Sequence, residues 1–147
     1  MRLDGATVVV TGASRGIGRA VAVAAAAKGA RLGLIARTRT DLDKVVADLP
    51  GSGHAAATAD VADAAAVQRA LGELERDLGS VDVLVANAGI AYYGPFSELP
   101  AEEVERMTRV NWLGTAWTVE AALRHMLERR QGRIVVVSSA AGPSFRR

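Results

Sequence analysis

Five short apolar runs alternate with longer helical patterns along the chain, at residues 6–11, 31–36, 54–59, 81–86 and 133–138. Three of them contain unbroken apolar stretches: Val8-Val9-Val10, Val83-Leu84-Val85 and Ile134-Val135-Val136-Val137. A strand with one wet face alternates polar and apolar residues. An unbroken run marks a strand covered on both faces, as in a parallel sheet. The helical patterns fall at 15–28, 40–49, 63–78 and 101–130. Gly29, Pro50, Gly79 and Gly132 follow them as stops. Thr40 or Asp41, and Asp63, stand where N-caps belong. The last pattern reads as a short helix and a long one, broken near Asn111. The order β-α-β-α-β-α-β-α-β predicts an α/β fold: a doubly wound, Rossmann-type parallel sheet of about five strands with helices on both faces. At 147 residues, with no linker or internal repeat, the chain is expected to form a single domain.

Composition narrows the chemistry. There is no cysteine, and the histidines are His54 and His125 alone. Disulfides, thiolate nucleophiles and His- or Cys-rich metal sites are thereby set aside. The net charge is +2, with acids interspersed among the basic residues, so nucleic acid is not an expected partner. From Arg124 onward six Arg face one Glu, which reads as surface and tail. The most apolar window, residues 20–30, is too short to cross a bilayer. With no targeting pattern at the start, the expected setting is the cytoplasm, away from membranes.

The sharpest local signal joins the first strand to the first helix: Thr11-Gly12-Ala13-Ser14-Arg15-Gly16-Ile17-Gly18. In this pattern Gly12 permits a tight turn. Gly16 lets a pyrophosphate approach the backbone, and Gly18 lets the helix pack closely on the strand. The helix N-terminus then offers unpaired N–H groups to phosphate oxygens. Gly12 to Gly16 also matches the G-x-S-x-G elbow of hydrolases, centred on Ser14. That reading is disfavoured, because the turn follows the first strand and no Asp-then-His series comes after it.

With these residues in view, the chain resembles the N-terminal part of a short-chain dehydrogenase/reductase. Residues 11–18 match that family's cofactor turn, including Ser14, Arg15 and Ile17. Asp60-Val61 matches its adenine-side pair, Asn87-Ala88-Gly89 its motif after the fourth strand, Asn111 its tetrad Asn, and Ser138-Ser139 its double Ser. The resemblance implies that Asp60 accepts from the adenine amino group, with the Val61 backbone beside it. Asn87 and Gly89, with Ala88 between them, would brace the central strands and border the ribose. Asn111 would hold a water-linked proton relay and kink the long helix. Ser139 would hydrogen-bond the substrate oxygen, with Ser138 in support. The implied reaction interconverts a small-molecule carbonyl and alcohol by hydride transfer. The family's usual dimers or tetramers make a homo-oligomer the expected assembly.

Cofactor choice is read from charge. An NAD site needs an acid at the end of the second strand. Here that region reads Ala36-Arg37-Thr38-Arg39, with no acid before Asp41. Arg37 and Arg15 would instead flank a 2′-phosphate. A hydrogen bond to a charged group is worth about 1.5–3 kcal/mol, so NADP(H) is expected over NAD(H) by at least about tenfold. Tyr92 and Tyr93 stand where a substrate pocket would open, or where a loop simply packs. Trp112 and Trp117 are expected to pack on the core or a partner.

One part of the family pattern is missing. Its Tyr-x-x-x-Lys should begin about thirteen residues after Ser139, and the sequence ends at Arg147. Phe96 and Ser97 follow Tyr92 and Tyr93 at the fourth place, and the lysines are Lys28 and Lys44. The Tyr is the family's proton donor, and such catalysis is typically worth about 10²–10⁴-fold. The expectation is therefore a truncated member, poor or inactive as a reductase by itself, with residues 134–137 left as an exposed edge strand. A dinucleotide-binding module without chemistry and a non-functional truncated product are the alternatives.

Overall fold

A computed structural model describes residues 2–139. Five parallel strands form one sheet in the order β3-β2-β1-β4-β5. They are β1 (Thr7–Thr11), β2 (Arg31–Ala36), β3 (Ala55–Thr58), β4 (Val83–Ala86) and β5 (Arg133–Val136). The chain builds outward from β1 through β2 to β3, then returns to lay β4 on the other side of β1. Val9 is thus in register with Gly33 on one side and Leu84 on the other.

Two cores explain the unbroken apolar runs of β1 and β4, but not that of residues 134–137, where Val135, Val136 and Val137 are exposed. Val8, Val10, Leu32, Leu34, Val83 and Val85 pack with Ala22, Ala25, Leu42 and Val45 on one face. Those partners lie on α1 (Gly16–Ala26) and α2 (Arg39–Asp48). Val9, Ile35 and Leu84 point to the opposite face, against Leu71, Leu74, Ala122 and Met126. Those lie on α3 (Ala64–Leu78) and α5 (Gly114–Glu128). Each interior strand therefore needs apolar residues on both faces.

Several boundaries move. Asp63 caps α3 as expected, its Oδ1 accepting the Ala66 N–H at 3.0 Å. For α2 the N-cap is Thr38, without a side-chain cap bond, and not Thr40 or Asp41. Asp41 sits in the helix's first turn. His54 lies outside β3, where its Nδ1 accepts the Leu32 N–H at 3.1 Å. The long helical pattern divides into α4 (Ala101–Met107), a π-helical turn (Thr108–Leu113) and α5. The break near Asn111 is that turn. A 3₁₀ turn over Phe96–Glu98 had no counterpart in the sequence reading.

Among the described residues β5 lies at the edge of the sheet, and Val136 is 50% exposed. Trp112 is 70% exposed, so it does not pack on the core, whereas Trp117 is half-buried. Among the described residues no helix is long and apolar enough to cross a membrane, and no group of His, Asp and Glu is arranged for a metal ion.

Candidate nucleotide site at the strand carboxyl ends

The reversal between β1 and β4 opens a crevice at the carboxyl ends of the strands, where open α/β sheets bind ligands. A cleft of about 400 Å³ lies there. Gly12, Ser14, Arg15, Gly16 and Ile17 of the first turn line it, with Arg37 after β2, Asp60 and Val61 after β3, and Asn87, Ala88 and Gly89 after β4. Four segments far apart in sequence thus meet in one cavity.

The glycines are there for separate reasons. Gly12 (φ +66°) and Gly16 (φ +56°) occupy left-handed backbone that disfavours a side chain. A Cβ on Gly12 would also lie 2.8 Å from Ala88 Cα. One on Gly16 would meet nothing within 4 Å, so that backbone is open to a ligand. Gly18 does not line the cleft. It is buried, and a Cβ there would collide with the Gly12 carbonyl oxygen and Asn87 Nδ2. That contact lets α1 begin directly against the turn, and its first N–H groups lack helical partners.

Thr11, the last residue of β1, braces the crevice. Its buried Oγ1 accepts the backbone N–H of Asn87 at 3.0 Å and of Ala88 at 3.1 Å. Asn87 Nδ2 donates back to the Thr11 carbonyl at 3.0 Å. Together these bonds pin the ends of β1 and β4 where the crevice opens. A hydroxyl residue ending the first strand was the available signal, but its partners lie 76 and 77 residues away.

The remaining walls carry charge. Arg15 and Arg37 are exposed, and neither is in an ion pair among the described residues. Arg39 is occupied elsewhere, 2.8 Å from Asp43. Asp41 also lines the cleft and brings an acid near Arg37. Asp60 Oδ1 accepts the Ala62 N–H at 2.9 Å, which shapes the turn after β3. Ala36, Thr38, Ala59, Ile90 and Val110 complete the lining and have no site role in the sequence reading.

Asn111 and Ser139 stand outside the cleft lining. Asn111 reaches it indirectly: its Oδ1 accepts the Ile90 N–H and its Nδ2 donates to the Ile90 carbonyl, both at 2.9 Å. The Asn111 carbonyl accepts the Thr115 hydroxyl at 2.8 Å. Ser139 is exposed, beyond the end of β5. Tyr92 and Tyr93 do not line the cleft, and Tyr93 is 92% exposed. Both histidines are engaged away from Ser14: His125 pairs with Glu75 at 2.6 Å, and His54 bridges Leu32 and Pro50. A Ser14–His pair of hydrolase type is absent from the described residues.

Sheet order and cleft together define a Rossmann-type protein. A family model described as short chain dehydrogenase matches residues 6–146, and the chain belongs to that family. It is 40% identical to versicolorin reductase 1 of Aspergillus parasiticus, over 94% of this chain and 53% of the relative. It is 38% identical to D-threitol dehydrogenase of Mycolicibacterium smegmatis, over 95% of this chain and 55% of the relative. Among solved structures, a 3-ketoacyl-ACP reductase from Sinorhizobium meliloti superposes with a TM-score of 0.84 at 39% identity. That match covers 90% of this chain and 53% of the other. An alcohol dehydrogenase from Thermococcus sibiricus, complexed with 5-hydroxy-NADP, also gives 0.84, at 36% identity, covering 91% and 58%. The chain spans about half the length of the curated relatives it matches.

Proposed function

We propose that these residues form the NADP(H)-binding part of an oxidoreductase that interconverts a small-molecule carbonyl and alcohol. The observation that carries this reading is the convergence of four loops on one cleft at the sheet's switch point. The residues present fit a dinucleotide. Gly12 and Gly16 leave room for a pyrophosphate, and the N–H groups opening α1 would bind it. Arg15 and Arg37 would hold a 2′-phosphate. Asp60 would accept from the adenine amino group, with Val61 beside the ring. Asn87, Ala88 and Gly89 would border the ribose.

When bound, NADP(H) supplies or accepts the hydride. Asn111 would hold the loop at Ile90 in place and support a water-linked proton relay. Ser139 would hydrogen-bond the substrate oxygen. Neither tyrosine of the chain is followed by a lysine four residues on, so no residue here is assigned as the proton donor. In a second reading, these residues bind the nucleotide without turnover.

The cofactor assignment is tested by Arg37→Asp, with NADPH and NADH affinities measured by fluorescence titration. The ratio favouring NADPH should fall about tenfold, equivalent to one charged hydrogen bond. An unchanged ratio would remove Arg37 from the 2′-phosphate site. Carbonyl-dependent oxidation of NADPH separates the two readings, since both require binding and turnover alone needs chemistry.

A further inference from the structure

Gly114 opens α5 with ordinary helical angles, φ −61° and ψ −39°. Its backbone therefore makes no demand for glycine, and a helix interior favours alanine. Its surroundings make the demand. A Cβ at this position would lie 2.9 Å from the carbonyl oxygen of Val61 and 2.9 Å from its Cγ2. Gly72, inside α3, gives the contrast: a Cβ there would meet nothing within 4 Å. One helical glycine is required by contact and the other is not.

The contact joins two working parts of the site. Val61 lines the cleft, in the turn that follows β3. Gly114 directly follows the π-helical turn that carries Asn111. Val61 and Val110 share a small core with Val67, against which Ala88 and Ile90 pack. The Gly114 carbonyl is held too, accepting the buried Thr118 hydroxyl at 2.6 Å. We propose that Gly114 is a positioning residue, whose bare α-carbon sets the distance between the Asn111-bearing turn and the adenine-side wall at Asp60 and Val61. Its consequence for ligand affinity rests on the nucleotide reading above; its consequence for the wall does not.

Two readouts on Gly114→Ala, with Gly72→Ala as control, test this. The first is amide hydrogen exchange at Ala62 and Asp63, whose N–H groups bond to Asp60. Gly114→Ala should speed both at least about tenfold relative to α3, an amplitude typical of a local opening, whereas Gly72→Ala should leave them unchanged. The second is the affinity for adenosine 2′,5′-bisphosphate, measured well below the melting temperature. Gly114→Ala should lower it about tenfold, and Gly72→Ala should preserve it while raising Tm by a few degrees. Should Gly114→Ala fail to fold, Thr118→Val decides by the same exchange measurement. It releases the Gly114 carbonyl from its side-chain bond at nearly constant volume, and about threefold faster exchange at Ala62 and Asp63 is expected. Unchanged exchange in a folded Gly114→Ala protein, or in Thr118→Val where that variant decides, overturns the proposal. Failure of the parent protein to bind the bisphosphate would overturn the nucleotide reading and leave the exchange test standing.

Discussion

β2 and β5 are built from similar residues and sit in different worlds. In β2 every residue from Leu32 to Ala36 is buried, with β1 and β3 alongside and helices on both faces. In β5 no residue is fully buried, and β4 is its one neighbour among the described residues. An apolar, β-branched run records what a strand is suited to contact. It does not say which contacts these residues themselves supply. The flank from β1 to β3 closes its own core and carries most of the cleft's walls. The β5 flank lends Ile134 to a core and leaves Val135 and Val136 half-exposed.

That contrast can be tested on stability, beginning with the largest effect. Leu34→Ala removes a fully buried side chain from β2 and should cost about 2–5 kcal/mol in urea unfolding. A cost below about 1 kcal/mol would mean that this flank is not the closed core described. Thr11→Val keeps the volume and deletes the acceptor for two backbone N–H groups at the β1–β4 junction. It should cost about 1–3 kcal/mol, with faster exchange at the Asn87 and Ala88 amides. Val136→Ala, on the exposed strand, should stay within about 0.5 kcal/mol of the parent. A loss comparable to that of Leu34→Ala would show that β5 is covered in solution by something outside the described residues.

Legibility followed the same divide. β2 runs from Arg31 to Ala36 in sequence reading and structure alike, because Gly29 ends the helix before it and Arg37 marks where its apolar residues stop. β3 shrank from 54–59 to Ala55–Thr58, since alanines carry little strand signal and His54 leaves the ladder to accept the Leu32 N–H. Every expected nucleotide residue but Gly18 lines the cleft: the turn after β1 is local and its glycines announce it, whereas Asp60, Val61 and residues 87–89 are legible only through the family resemblance. Three features were out of reach. The Thr11 clamp depends on partners more than seventy residues away. The break near Asn111 is legible, but its π character and the bonds between Asn111 and Ile90 belong to a tertiary contact that no periodicity encodes. Asp41 lies one helical turn beyond Arg37, and only the packing of α2 onto the sheet brings it to the cleft.

The most direct test of the central claim is calorimetric titration of the protein with NADPH, repeated in the presence of adenosine 2′,5′-bisphosphate. A site built from the Gly12–Gly18 turn, Arg37 and Asp60 predicts saturable binding of one nucleotide per chain, displaced by the bisphosphate. A folded protein, verified by circular dichroism, that shows no saturable binding would contradict it.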